Sequence, residues 1–184
     1  MSAVPLARCH SLLAGRRNSL ALLAAWQTWR RDGAIPRSAD VRPEDLGRAL
    51  AGVSILEAHA PDRLIYRLFG GVPTAIGGAD LKGMNLMDVM ARPGPDEAND
   101  RMWRLARTPC GGIYALSLAR RRDKPTPICG VVLPVSPNDP VEPMLLYTSV
   151  DRLAVPGRRA TEPASRMNRP SEFTFIDIGY GVPV

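Results

Sequence analysis

The residues best placed to do chemistry are five glycines between a strand-like run and a helix-like run. In LIYRLFGGVPTAIGGADLKGMNL (64–86), Gly70-Gly71, Gly77-Gly78 and Gly83 punctuate an apolar stretch. Strand, glycine loop and helix N-terminus together form a phosphate cradle, because backbone N–H groups converge on the anion there. The other residues of such a cradle are missing. A phosphate loop ends in Gly-Lys-Ser/Thr, but here Lys82 precedes Gly83 and Met84 follows it. GxGxxG is also absent, and its usual βαβ setting is replaced by two successive strand-like runs. The glycines read instead as a strand exit and as breaks between very short helices, where positive φ is easily reached.

Other chemistries fare no better. The sequence has no GxSxG and no HExxH, and neither His10 nor His59 has a local nucleophilic partner. Asp80, Asp88 and Tyr114 are the only residues that suit an acid/base role, and their spacing makes no pair. Cys9, Cys110 and Cys129 are odd in number and widely spaced, which argues against a disulfide framework or a structural zinc. A net charge of +6 rests almost wholly on arginine, in clusters such as Arg16-Arg17, Arg30-Arg31, Arg120-Arg121-Arg122 and Arg158-Arg159. Scattered clusters are not the continuous basic stripe of a nucleic-acid binder. Nucleic-acid regulation therefore stays an alternative, as does a small enzyme on a cupped α+β sheet.

These groups need a scaffold, and the chain supplies it in short pieces. Its 184 residues suit one domain, and 18 prolines with 16 glycines favour several short elements over one long bundle. Residues 1–17 are polar and basic and are expected to be a flexible N-terminus. A helix capped by Asn18 or Ser19 runs to about Arg31, with Leu22, Trp26 and Trp29 on one stripe. That stripe either packs on the body or pairs with a second copy, which makes the three residues candidates for a dimer contact. A short helix follows at 43–50. Strands are expected at 52–58 and 63–70, joined as a hairpin. After weak helical patterns at 71–91, a stronger helix spans 95–108. Three strands follow, at 113–120, 127–135 and 143–150, the last two apolar on both faces. Pro134 fits a strand end or bulge. Residues 152–184 form an arginine- and proline-containing tail whose end, EFTFIDIGYGVP (172–183), is apolar enough to dock.

Arg16-Arg17 before NSLALLAAW is similar to the start of a twin-arginine export signal, but the apolar run is short, meets Arg30-Arg31-Asp32, and has no cleavage site. It is also too short to span a bilayer. A cytoplasmic protein is expected.

The order of elements and several residues resemble the PAS fold, specifically the bacterial PAS_5 family. The similar segments are WQTWRRDGAIPRSADVRPEDL (26–46), Tyr66-Arg67-Leu68-Phe69-Gly70 as Y-R-x-x-G, and Gly78-Ala79-Asp80-Leu81-Lys82-Gly83 as G-x-D-L-x-G. Leu133-Pro134 and the ending FIDIGYGVP complete the set. The resemblance covers about residues 19–150 plus the terminus. It implies a five-stranded antiparallel sheet with short helices over one face, in an α+β domain at 18–151. It also implies a sensor or regulator that binds a small ligand or a protein partner, rather than a catalyst. With no kinase, cyclase or DNA-binding segment in the chain, that action is expected to run through a partner or a homodimer. A small apolar ligand would lie among Tyr66, Leu68, Ile76, Leu86, Met90, Met102, Leu116, Val131 and Leu146, unless these nine simply fill a core. No cofactor is expected. The position of a flavin-adduct motif holds Met84-Asn85-Leu86-Met87 without cysteine, and the 95–108 helix has no histidine for haem.

Overall fold

A computed structural model describes residues 3–89, 97–118, 126–153 and 172–183. The elements run β1 (Ala3–Pro5), α1 (Cys9–Leu12), α2 (Arg17–Trp29), β2 (Val53–Ala60), β3 (Arg63–Leu68), α3 (Gly71–Gly77), α4 (Leu86–Val89) and α5 (Glu97–Arg107). Then come β4 (Gly111–Leu118), β5 (Thr126–Val135), β6 (Met144–Ser149), β7 (Asp151–Arg152) and β8 (Glu172–Asp177). Between α2 and β2 the segment Pro43–Gly52 makes tight 3-10 turns, kinked at Gly47.

All strands join one sheet in the order β1-β8-β4-β5-β6-β2-β3, with β7 also on β5. Five successive strands of it, β4-β5-β6-β2-β3, make the expected five-stranded antiparallel sheet of a PAS-like α+β fold. Two expectations about the termini need correcting. Residues 3–12 are not a loose arm: β1 pairs in parallel with β8, and Cys9 and Leu13 are buried. The end of the chain does more than dock on a surface, since β8 inserts between β1 and β4 and extends the sheet. Residues 154–171 of the expected tail lie outside the described residues.

Side chains alternate across each strand, so the sheet has two apolar faces. On the outer face Val131, Leu133, Val135, Leu145, Tyr147 and Ile176 pack against α2 through Leu22, Leu23, Trp26 and Trp29. On the inner face Leu56, Leu64, Tyr66, Val132, Leu146 and Phe175 meet Leu86 of α4 and Leu105 of α5. Pro134 is the penultimate residue of β5, near the strand end as expected. It pairs with Leu146 beyond the last β4 partner of β5, Val132, so only β6 flanks it and the ladder loses little there. The freed Pro134 carbonyl accepts the Trp26 indole N–H at 2.7 Å.

Candidate functional site

The inner face collects most of the expected lining residues, and the strands explain which. Leu64 and Tyr66 of β3 point inward by period two. Leu146 joins them from β6, Leu86 from α4 and Met102 from α5, all in one cluster. Ile76 and Leu116 belong to a neighbouring cluster with Ile128 and Val150; Tyr114 touches both clusters. Met90 lies outside the described residues.

Two expected lining residues are elsewhere. Val131 is fully buried on the outer face under α2, because β5 is apolar on both faces and its phase is hidden in the sequence. Leu68 is 39% exposed. A register shift between Ile55 and Leu56 leaves Tyr66 opposite Leu56 but Leu68 opposite Ile55, an outer-face residue. The dimer stripe also needs correcting. Leu22, Trp26 and Trp29 are buried within this chain. The Trp29 indole N–H donates to Asp45 at 2.8 Å, and its ring meets Tyr147 edge-on with centroids 6.1 Å apart. An apolar stripe already covered by its own sheet has nothing left to offer a second copy.

The glycine-rich stretch is a wall of the inner face. A Cβ on Gly70 would collide with the carbonyl oxygens of Ala51 and Val53, so only glycine lets the chain leave β3 so close to the turn before β2. Gly78 ends α3 in the left-handed region with φ 83°. Residues 83–85 then lie along β3, with the Tyr66 amide donating to Met84 and the Gly83 amide to Tyr66. Asp80 accepts the Lys82 amide at 2.9 Å within the turn, which makes it a structural carboxylate.

A polar chain crosses the sheet at its centre. Pairing of β5 with β6 and β7 is interrupted between Val132↔Thr148 and Cys129↔Asp151. In the gap, the backbone groups find other partners. The Tyr114 phenol, from the inner face, donates to the Ser149 carbonyl at 2.7 Å. The Val150 amide donates to Gly52, and the Asn18 side chain donates to the Val150 carbonyl. Gly130 permits this: a Cβ there would strike the Ser149 carbonyl and the Tyr114 hydroxyl.

On the outer side the donors form a directed series. The Val131 amide donates to the Ser149 hydroxyl at 3.0 Å, Ser149 donates to Ser19 at 2.9 Å, and Ser19 donates to the Asp151 carboxylate at 2.6 Å. Asp151 also accepts the Asn18 and Ser19 amides, each at 2.9 Å. It thereby caps the start of α2 from a distant strand, and its negative charge sits at the positive end of the helix dipole. The expected cap from Asn18 or Ser19 is replaced: their backbone N–H groups are the ones being capped. The sequence signal was an aspartate directly after a buried apolar strand, LLYTSVD, and its partner lies 132 residues away.

Titratable groups near the inner face are held neutral. Burial pushes the Tyr66 phenol well above its ordinary range. Burial first, then Tyr66, Cys129 and Asp151, do the same to Tyr114. The Cys110 thiol is pushed up to about 12, by burial first and Asp177 second. Asp80 and Asp88 are exposed. Among the described residues no group of three or more histidines, cysteines or acids is placed to hold a metal ion. No helix among them is long and apolar enough to cross a membrane.

An antiparallel sheet with short helices over one face and a capped N-terminal helix over the other defines the class: a PAS-like α+β domain. The PAS_5 family model, described as a PAS domain, matches residues 15–139, and the chain belongs to that family. The matched part starts just ahead of α2 and stops before β6, so β6 and β8 complete the sheet from outside it. Comparison with curated proteins and with solved structures yields no match.

Proposed function

We propose that this chain is a non-catalytic regulatory PAS domain of the bacterial cytoplasm. Its inner face is the input and the start of α2 is the output. The observation that carries this reading is the pair of contacts at Ser149, its carbonyl accepting from the Tyr114 phenol and its hydroxyl donating to Ser19, which donates to Asp151. A small apolar ligand settling among Tyr66, Leu86, Met102 and Leu146 acts by favouring one position of Tyr114 over another. That differential affinity is what shifts the equilibrium. Ser149 then changes partners, and the cap on α2 changes with it. A protein partner or second copy reads the result.

A catalyst would need an acid or base poised near neutrality. The raised tyrosines and thiol of the inner face favour the non-catalytic reading. The arginines support it over nucleic-acid binding. Arg31 is paired with Asp40, Arg67 with Glu57, and Arg30 lies over the Trp26 ring and donates to the Ile178 carbonyl. The absence of cysteine in Met84-Asn85-Leu86-Met87 fits a domain that works without a flavin adduct.

Native mass spectrometry of the chain captured from its native host tests this, with Tyr114→Phe beside the wild type. The expected result is a retained small molecule, a second copy or a partner on the wild type that the variant holds less well. A wild type that is strictly monomeric and free of ligand and partner would contradict it.

A further inference from the structure

The outer face is not wholly covered by α2. Between the turn that joins α1 to α2 and the β4–β5 strands lies an open cleft of about 260 Å³. Ile113, Ala115, Cys129 and Thr174 line it from the sheet, and Leu12, Leu153 and Arg16 are among its other walls. Two features mark it as more than a fold in the surface. Leu12 is 53% exposed at its rim, a large apolar side chain with unused area. Arg16 contributes a guanidinium that is in no ion pair among the described residues, whereas Arg31 and Arg67 have theirs. Asp151 makes no ion pair with it; that carboxylate accepts from the Asn18 and Ser19 donors instead.

A lining that mixes aliphatic side chains with polar groups and one cation suits an anion with a short apolar body. Guanidinium presents a planar fork that matches a carboxylate with two parallel hydrogen bonds. The same fork fits a phosphate oxygen pair, but inorganic phosphate has no apolar body to lie against Leu12 and Ile113. The volume falls below the roughly 300 Å³ at which drug-sized ligand sites begin, so the ligand is small. Burial raises the Cys129 thiol, Arg16 pulls it partly back and Asp151 adds to the rise; the net direction is upward. The thiol is therefore protonated at neutral pH and acts as packing surface, not as a nucleophile.

We infer that this outer-face cleft binds a small monocarboxylate with an apolar tail, the carboxylate on Arg16 and the tail against Leu12, Ile113 and Ala115. The site is on the opposite face of the sheet from Tyr66 and Met102, so it stands or falls independently of the regulatory proposal above.

Hexanoate is the probe, titrated into the ¹⁵N-labelled full chain and followed by NMR. Saturable shifts are expected at the amides of Ile113, Ala115, Cys129 and Thr174. Hexan-1-ol, which lacks the charge, and inorganic phosphate, which lacks the tail, are expected to bind at least about tenfold more weakly. Arg16→Gln is expected to weaken hexanoate about tenfold, and Arg16→Lys by only a few-fold, since lysine keeps the charge and loses the fork. Both variants should melt at the wild-type temperature. The inference is overturned if hexanol or phosphate matches hexanoate, if Arg16→Gln binds as the wild type does, or if the shifts map to Tyr66, Leu86 and Leu146 instead.

Discussion

The outer face of the sheet is covered over most of its core by one helix of 13 residues, and the inner face by helices of 7, 4 and 11. Under α2, Leu22, Leu23 and Trp26 are fully buried, and both indole N–H groups have acceptors. Under α3–α5, Leu64, Leu105 and Leu146 are as deeply buried, but Phe69, Met87, Met102 and Trp103 are only partly covered. Methionine is unbranched and adapts its shape to what lies beside it. The outer face thus fixes the geometry of the domain, and the proposed ligand response asks the less deeply covered inner face to repack. The two are joined where the sheet ladder opens, through Ser149, whose carbonyl accepts from Tyr114 and whose hydroxyl donates to Ser19.

That difference is exposed to test, and the largest effect belongs to the outer face. Trp26→Ala removes a fully buried indole and its bond to Pro134, and should cost about 4 kcal/mol in urea denaturation. Met102→Ala on the inner face, starting half-buried, should cost under about 2 kcal/mol. Equal losses would abolish the distinction between the faces. Asp151→Ala comes next, at about 2–3 kcal/mol, because it removes a helix cap and leaves Ser19 and two amides without their acceptor. Asp151→Asn, which keeps an oxygen but not the charge, should recover part of that loss.

The thiols sharpen the comparison by pH. Burial lifts Cys9 to about 11 and Cys110 to about 12, against 9.0 for an ordinary thiol. Above pH 9 the unfolded chain gives up these protons while the fold keeps them. The unfolded state then binds fewer protons, so stability falls as pH rises. Melting temperature should hold steady below pH 9 and decline from there towards pH 11. The decline should be shallower in Cys110→Ala, and a rise above pH 9 would refute the assignment.

Much of this architecture was legible in the sequence. The five central strands and the helices at α2 and α5 appear within a few residues of where periodicity and turn residues put them. What was hidden has physical causes. A strand apolar on both faces conceals its phase, which misplaced Val131. A bulge reverses phase without changing composition, which misplaced Leu68. Periodicity shows that Leu22, Trp26 and Trp29 share a stripe but not what covers it. The β1–β8 pairing and the Asp151 cap join residues more than 130 positions apart, and no local pattern carries that information. Tyr114 stood out for its type, but its bond to a backbone carbonyl depends on an interrupted ladder and on Gly130.

The path through the sheet is the central claim, and Tyr114→Phe tests it with the smallest chemical change. Loss of the phenol–Ser149 bond should cost only about 1 kcal/mol of stability. Amide hydrogen exchange, compared with the wild type and with Tyr66→Phe, is the decisive measurement. The account predicts faster exchange at Asn18, Ser19 and Val131, on the far side of the sheet, in Tyr114→Phe but not in Tyr66→Phe. Unchanged protection at those three amides in Tyr114→Phe would contradict it.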